Sequence, residues 1–305
     1  MRVSTVNVPA AGEGGNSNVF VLSVLALTQV ITGGTYLVAK IALTEFDPFT
    51  LGLFRFLLAA AIFLPILHFS SILKLPERED WTSFFLMALL AVPLNQGLFL
   101  FGMKFTSAGH GALLYATTPL LVMLLSFMGG MEVLNSRKVT GVILGFAGVA
   151  IVLSDRENSG GTATLTGDLL VFGAVLTWAL YTLVNKRILK KYSPIFATGI
   201  SLSLGALIFI PIGIPSLLNF EISRISSSGM LSLLYMAILT SVFAYLIWSW
   251  ALKSVEATKV SVLSNLQPAV ASALAWIFLN EPITLKFVLG FIVILCGVIL
   301  TQRSS

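Results

Sequence analysis

The sequence predicts an all-α membrane protein of ten transmembrane helices, arranged as two inverted five-helix repeats. Three observations carry that prediction: a composition too apolar for water, a regular succession of apolar stretches, and self-similarity between the two halves. Of 305 residues, 57% are hydrophobic and 10% charged, where a soluble domain carries roughly 25% charged residues. Lipid must therefore serve as solvent for most of the chain.

The elements follow in order. Residues 1–18 form a polar, Gly-rich tail with Arg2 as its only base, so the apolar run from Val19 reads as an uncleaved first helix. Mainly apolar stretches then cover 19–39, 50–69, 82–102, 108–129, 138–154, 168–186, 194–213, 230–251, 259–279 and 285–302. They are separated by Asp47-Pro48, the charged stretch from Lys74 to Asp80, Arg137-Lys138, a polar linker at 155–167, the stretch from Lys190 to Pro194, and Glu281-Pro282. Backbone groups in lipid must be satisfied within each segment, which selects helices, and the period-2 alternation of a barrel is absent. Residues 303–305 form a short C-terminal tail.

The bases orient the chain. Twelve of the eighteen Lys and Arg residues, among them Lys74, Arg78, Arg137, Lys138 and Lys186 through Lys191, gather on the side of both termini. Five lie on the other side and Arg55 lies within helix 2. Positively charged loops stay in the cytoplasm, so both termini are expected there, with the chain in the cell inner membrane.

Displaced by 149 positions, Lys104 falls on Lys253, Pro119 on Pro268, Glu132 on Glu281, Gly141 on Gly290 and Gly148 on Gly297. Displaced by 146, Lys40 falls on Lys186, Pro48 on Pro194 and Pro65 on Pro211. Matches of Leu on Leu arise easily by chance in such a composition, whereas Pro, Glu and Lys matches do not. The first repeat is assigned to 19–154 and the second to 168–302. Five helices per repeat is an odd number, so the second copy enters the membrane upside down. Inverted repeats characterise secondary transporters, whose substrate site lies where the halves meet.

The residues Thr106-Ser107-Ala108, Thr118-Pro119, Glu132, Gly141 and Gly148 form a pattern that returns as Ala257, Gln267-Pro268, Asn280-Glu281-Pro282, Gly290 and Gly297. Together with Trp178-Ala179 and Lys186-Arg187, this pattern resembles the EamA domains of the drug/metabolite transporter superfamily across nearly all of 19–302. The first copy departs from it, with Thr32-Gly33 where Trp-Gly is common. The resemblance implies a ten-helix carrier for small metabolites, often an exporter.

Polar and aromatic residues at matched positions predict a shared cavity. Thr32 and Thr35 on helix 1 are counterparts of Trp178 and Tyr181 on helix 6. Gln96 and Phe99 on helix 3 match Tyr245 and Trp248 on helix 8, and Tyr115 and Thr118 on helix 4 match Ser264 and Gln267 on helix 9. Singly, each also reads as a hydroxyl bonded to its own helix, helix glue or an interfacial aromatic. As a set they suit a mostly apolar pocket with a few orienting polar groups. Pro119 and Pro268 are expected mid-helix, as hinges or static kinks. Arg55 either snorkels to the outer interface or meets an anionic partner. His110, expected near the outer surface, reads as an interfacial histidine or as a carrier of a coupling proton. Glu132 and Glu281 are expected as caps or ion pairs, with Arg137 or Lys286 as candidate partners. The helix 5 and helix 10 glycines form close-packing faces, within one chain or in a homodimer.

Several classes are excluded. Two histidines and one cysteine make no zinc cluster, there is no P-loop, and no cofactor is called for. No basic run interleaved with aromatics points to nucleic acid. The stretch Gly199-Ile200-Ser201-Leu202 looks like a serine nucleophile but lacks a histidine at matching depth, so no enzyme is expected. No Asp or Glu sits mid-helix, which disfavours lipophilic cations. The expected function is export of a small polar metabolite, such as an amino acid or a derivative, by alternating access across the lipid bilayer. A nucleotide-sugar or phosphorylated-metabolite antiporter is the alternative within transport and would call for more bases at depth than Arg55. A non-transporting membrane scaffold is the alternative of another class.

Overall fold

A computed structural model describes residues 16–69, 75–130, 135–154, 164–218 and 220–302. Among these, the regular elements are helical: α1 (Asn16–Ala42), α2 (Pro48–Phe69), α3 (Arg78–Lys104), α4 (Ala108–Met128), α5 (Ser136–Leu153), α6 (Leu165–Ile188), α7 (Pro194–Leu217), α8 (Ser227–Ser254), α9 (Ala257–Leu279) and α10 (Leu285–Gln302). Eight are long and apolar enough to cross a membrane, and α5 and α10 supply shorter apolar helices. The chain is therefore a multi-pass membrane protein. Residues 1–15, Glu132, the linker stretch 155–163 and the tail 303–305 lie outside the described residues.

Several helices run past the apolar stretch that predicts them, because polar end residues keep helical geometry while serving the chain ends. Lys40, near the end of α1, donates to the carbonyls of Met103 (3.3 Å) and Thr106 (2.8 Å). Its counterpart Lys186, near the end of α6, donates to the carbonyls of Leu252 and Val255 (2.7 Å). Each lysine thus caps the C-terminus of another helix, where orphan carbonyls favour a cation. Helix starts carry the expected caps: Ser107, Thr164, Ser193 and Ser226 each accept an amide from the first turn of their helix.

The helices pack α2 on α7, α3 on α6, α1 on α9 and α5 on α10. A side chain at Gly148 would meet the Gly290 carbonyl at 2.9 Å, and one at Gly297 would meet the Gly141 carbonyl at 2.5 Å. The glycine faces of α5 and α10 are therefore used against each other within the chain. Leu27, Leu207, Ile277 and many other large apolar side chains face outward, as lipid contact requires.

Two ends are tied by polar contacts between distant segments. At the α1–α2 end, Glu45 accepts from the Ser226 amide (2.7 Å) and hydroxyl (2.6 Å), which hold its carboxyl below the usual range. At the α2–α3 end, Lys191 contacts Glu77 and Asp80, and Tyr192 donates to Asp80 (2.6 Å). Those carboxylates hold the Lys191 ammonium above the usual lysine range.

The prolines expected mid-helix are placed differently. Helix α4 breaks at Ala116-Thr117 and resumes as Thr118–Met128, with Pro119 in the first turn of the new segment. Helix α9 tightens to a 3-10 turn at Leu263–Asn265, then resumes as Leu266–Leu279 with Pro268 in its first turn. Proline has no amide to bond one turn back, so the helix ends there and restarts where proline costs nothing. The hydroxyl of Thr118 takes the Tyr115 carbonyl that Pro119 leaves free (2.6 Å). Helices α3 and α8 each contain a π-helical stretch, Leu90–Leu94 around Pro93 and Tyr235–Ala244. The first overlaps the second when displaced by 149 positions, although α8 has no proline there.

Candidate functional site

A cavity of about 650 Å³, counting the space at its mouth, lies among α1, α2, α3, α4, α6, α8 and α9. Ten of the twelve residues expected from matched positions line it: Thr32, Thr35, Gln96, Phe99, Tyr115, Trp178, Tyr245, Trp248, Ser264 and Gln267. Thr118 does not, because its hydroxyl is spent on the Tyr115 carbonyl beside the α4 break. Tyr181 does not either, being fully buried behind Trp178, on whose ring it stacks at 5.2 Å.

Aromatic rings form two trios. Tyr36, Phe99 and Tyr115 meet edge to face at 5.7–5.9 Å between centroids. Trp178 contacts Tyr245 at 5.0 Å and Trp248 at 5.3 Å. The first trio comes from α1, α3 and α4, the second from α6 and α8, so each half of the chain contributes one wall.

Arg55 completes the site. Snorkelling to an interface is ruled out: the residue is 2% exposed and its head is gripped on three sides. Nε donates to Ser241 Oγ (2.6 Å) and the Met236 carbonyl (3.2 Å), Nη1 to Gln96 Oε1 (2.6 Å) and Nη2 to Thr240 Oγ1 (2.9 Å). Three of these acceptors belong to the π-helical stretch of α8, whose loosened winding turns Met236, Thr240 and Ser241 toward α2. A guanidinium carries five N–H groups, so two are left beyond these bonds. No carboxylate among the described residues lies within salt-bridge distance of it. From Arg55 the polar chain continues through Gln96 to Asn95 and on to Tyr115 Oη (3.0 Å).

Across the cavity Tyr36 Oη donates to Gln267 Oε1 (2.8 Å), and Gln267 Nε2 donates to Gln29 Oε1 (2.5 Å). Thr35 Oγ1 and Trp248 Nε1 are buried with no hydrogen-bond partner among the described residues. Buried polar atoms are ordinarily satisfied, and these two line the cavity. The arrangement offers one uncompensated positive charge, amides that can donate or accept, and two aromatic walls.

Gln29, Tyr36, Asn95 and Thr240 also line the cavity and were missed by a search for polar residues at matched positions. Their counterparts are Val175, Thr182, Ala244 and Ala91, mostly without a polar group. Helical spacing alone would have found two of them, since Gln29, Thr32 and Tyr36 share one face of α1.

His110, in the first turn of α4, is buried inside the protein. It is 2% exposed, with Nδ1 3.3 Å from Oδ2 of Asp168, a carboxylate in the first turn of α6. Glu281 acts as a cap across elements: its carboxylate accepts the amides of Ala108 (2.9 Å) and Gly109 (3.2 Å) at the start of α4. Lys286 turns instead to the Ser154 carbonyl (3.2 Å).

A model described as the EamA-like transporter family matches residues 19–154 and 165–303. An uncharacterized transporter of Archaeoglobus fulgidus is 32% identical over 92% of this chain and 96% of its own length. The uncharacterized transporter YyaM of Bacillus subtilis is 29% identical over 89% of this chain and 90% of its own. A WAT1-related chloroplastic protein of Arabidopsis thaliana is 27% identical over 94% of this chain and 71% of its own. One crystal structure superposes with a TM-score of 0.67 at 19% identity, over 93% of this chain and 96% of that one, a likeness of fold alone.

Proposed function

Because the chain belongs to the EamA-like transporter family, we propose that it is a secondary carrier exporting a small carboxylate-bearing metabolite, an amino acid or a relative, by alternating access. The observation that carries this reading is Arg55: a buried, uncompensated guanidinium at the wall of a cavity shared by both halves. A charge at membrane depth costs about 2.5–3.5 kcal/mol on insertion scales and marks substrate pathways. A planar fork with two free N–H groups matches a carboxylate. The aromatic walls would hold the rest of the molecule, by apolar contact or by cation–π attraction to an ammonium group.

In this reading the ten helices form two inverted repeats of five that rock about the cavity, with the breaks before Pro119 and Pro268 as flexing points. Both termini face the cytoplasm of a cell inner membrane. Support comes from the two stretches matched by the family model, the lysine caps of Lys40 and Lys186, and the paired π-helical stretches. A nucleotide sugar or phosphorylated metabolite carries more negative charge than one guanidinium answers.

The test is a comparison of extracellular metabolites with and without overexpression, followed by counterflow of the enriched compound in liposomes holding the purified protein. Exchange that depends on the protein supports the carrier. Protein-free rates throughout would leave a membrane scaffold.

A further inference from the structure

Thr106, His110 and Asp168 form a buried polar cluster at the α1–α2 end, apart from the central cavity. Asp168 is fully buried. Its Oδ1 accepts from the Thr106 hydroxyl and its Oδ2 faces His110 Nδ1, while Ser107 holds the His110 amide at 3.1 Å. Burying a carboxylate is costly, and the repeat shows whether the fold requires it. The counterpart of Asp168 is Leu22, of Thr106 Val255, and of His110 the exposed Lys259. The matching corner of the other half therefore forms without any buried titratable pair, so the cluster is not needed to make the helices meet.

Two further facts give it a role. His110 stands on α4 in the first half and Asp168 on α6 in the second, so their contact ties the halves. His110 also lines a second, smaller cavity of about 350 Å³, counting the open space at its mouth, together with Ser107, Ser272, Glu281 and Phe287, and its lining includes the exposed Pro282-Ile283 segment. The lining of that cavity joins the buried ring to residues exposed at the surface.

We propose that the His110–Asp168 pair is a proton-binding site, served through the second cavity, whose loading holds the α1–α2 end closed. Hydronium delivers one proton to the imidazole and leaves as water. The imidazolium then pairs with the Asp168 carboxylate across the halves. When the proton returns to water, the tie falls to a single hydrogen bond from a neutral ring, and this end opens more readily. Histidine is the side chain suited to such exchange at physiological pH.

Other titratable and charged groups on the elements packed against the pair are accounted for. Lys40 and Tyr36 come from α1, the first on the Thr106 carbonyl and the second on Gln267. Glu281 follows α9 and caps α4, Lys286 of α10 holds the Ser154 carbonyl, and Lys104 of α3 is exposed. The last three turns of α5 carry no titratable residue. The proton site does not rest on the carrier reading, although its effect on flux does.

The chain has only two histidines, and His68 is exposed. Full-length His68→Gln protein with isotope-labelled histidine, in lipid nanodiscs, reports His110 alone by the ring-nitrogen signals. Recorded from about pH 5 to pH 8, the ring-nitrogen signals should show both the imidazolium and the imidazole, and Asp168→Asn should change the balance between them. A ring that stays in one state across this range overturns the proposal. If Asp168→Asn fails to insert, the titration of His110 beside an intact Asp168 remains decisive.

The second measurement uses Ala275→Cys, in the second cavity, with Cys296→Ser removing the native thiol. Labelling by an impermeant maleimide should rise at least about threefold more from pH 5.5 to 8 than thiolate formation alone gives, scored against a free thiol. That excess should vanish in His110→Gln, and its persistence there overturns the latch. Neither measurement uses a transported compound, so failure to find a substrate leaves both intact.

Discussion

Replacing Arg55 by Gln tests the site at its most exposed assumption. The substitution keeps a polar side chain toward Gln96 and Thr240 but removes the charge and the fork. Truncating one partner of a buried, hydrogen-bonded charge pair costs about 2–5 kcal/mol. At about 1.4 kcal/mol per decade, that is a loss of roughly thirtyfold to several-thousandfold in transport efficiency for a carboxylate. An amide of the same compound never used the charge and loses little. The assay is counterflow in liposomes of an amino acid against its own amide, both measured in one preparation. Their ratio is independent of how much variant folded. Arg55→Lys should fall between, because an ammonium keeps the charge without the bidentate geometry. If the acid-to-amide ratio in Arg55→Gln stays within about threefold of the parent protein, a change worth well under 1 kcal/mol, Arg55 is not the carboxylate anchor.

Three further outcomes are expected. Gly297→Val brings side-chain carbon to 2.5 Å from the Gly141 carbonyl and 2.8 Å from the Gly145 amide, backbone atoms that cannot yield; overpacking of about 1–3 kcal/mol should lower the melting temperature in detergent, and an unchanged melt would mean that α5 and α10 do not meet there. Glu281→Gln removes the charge from the N-terminal cap of α4, which should cost about 0.3–1 kcal/mol in the same melt. Lys191 ties its end in the same sense as the proposed His110 latch, by its protonated form, but should not respond in the range assayed. Its raised titration point means that the ammonium's stabilising share is complete below the ordinary lysine range and is lost only as pH climbs past the raised value. Cysteine labelling at the α2–α3 end should therefore not vary between about pH 6 and pH 9 beyond the thiol's own ionisation.

The helices were legible because lipid leaves a plain mark: a spanning helix must be apolar along its length, and eight of the expected stretches fall on helices long enough to span, the other two on shorter apolar helices. Helix ends were less so, since Lys40 and Lys186 look like loop residues by charge and become helical by capping distant carbonyls. Helix interruptions were half legible. Pro119 and Pro268 mark the places, but whether proline kinks a helix or restarts one depends on the turn before it. The π-helical stretch of α8 has no sequence mark at all, and it is what makes Arg55 a buried residue instead of a snorkelling one. The cavity lining was read through matched positions, which found ten residues and hid those whose partners are apolar.

That failure carries a physical lesson about the site. Where the two halves agree in sequence, as at Lys40 and Lys186 or the two prolines, the shared residues cap helix ends or stand where a helix restarts. Where they disagree, the charges collect: Arg55 against Ser201, and Asp168 against Leu22. On the proposed reading, a small metabolite with one carboxylate has no twofold symmetry, so a pocket between two related halves would have to be unequal to hold it one way round. A second guanidinium at position 201 would double the burial cost at depth with no second anion to answer it. Ser201 instead turns its hydroxyl to its own helix, on the Thr198 carbonyl (3.1 Å), and stays fully buried. On this argument Ser201→Arg should abolish export of a monocarboxylate even if the protein inserts, whereas Ser201→Ala should leave it within about threefold of the parent, since a hydroxyl bonded to its own helix contributes little to net stability. Flux that survives Ser201→Arg would mean that the two halves do not share one asymmetric pocket.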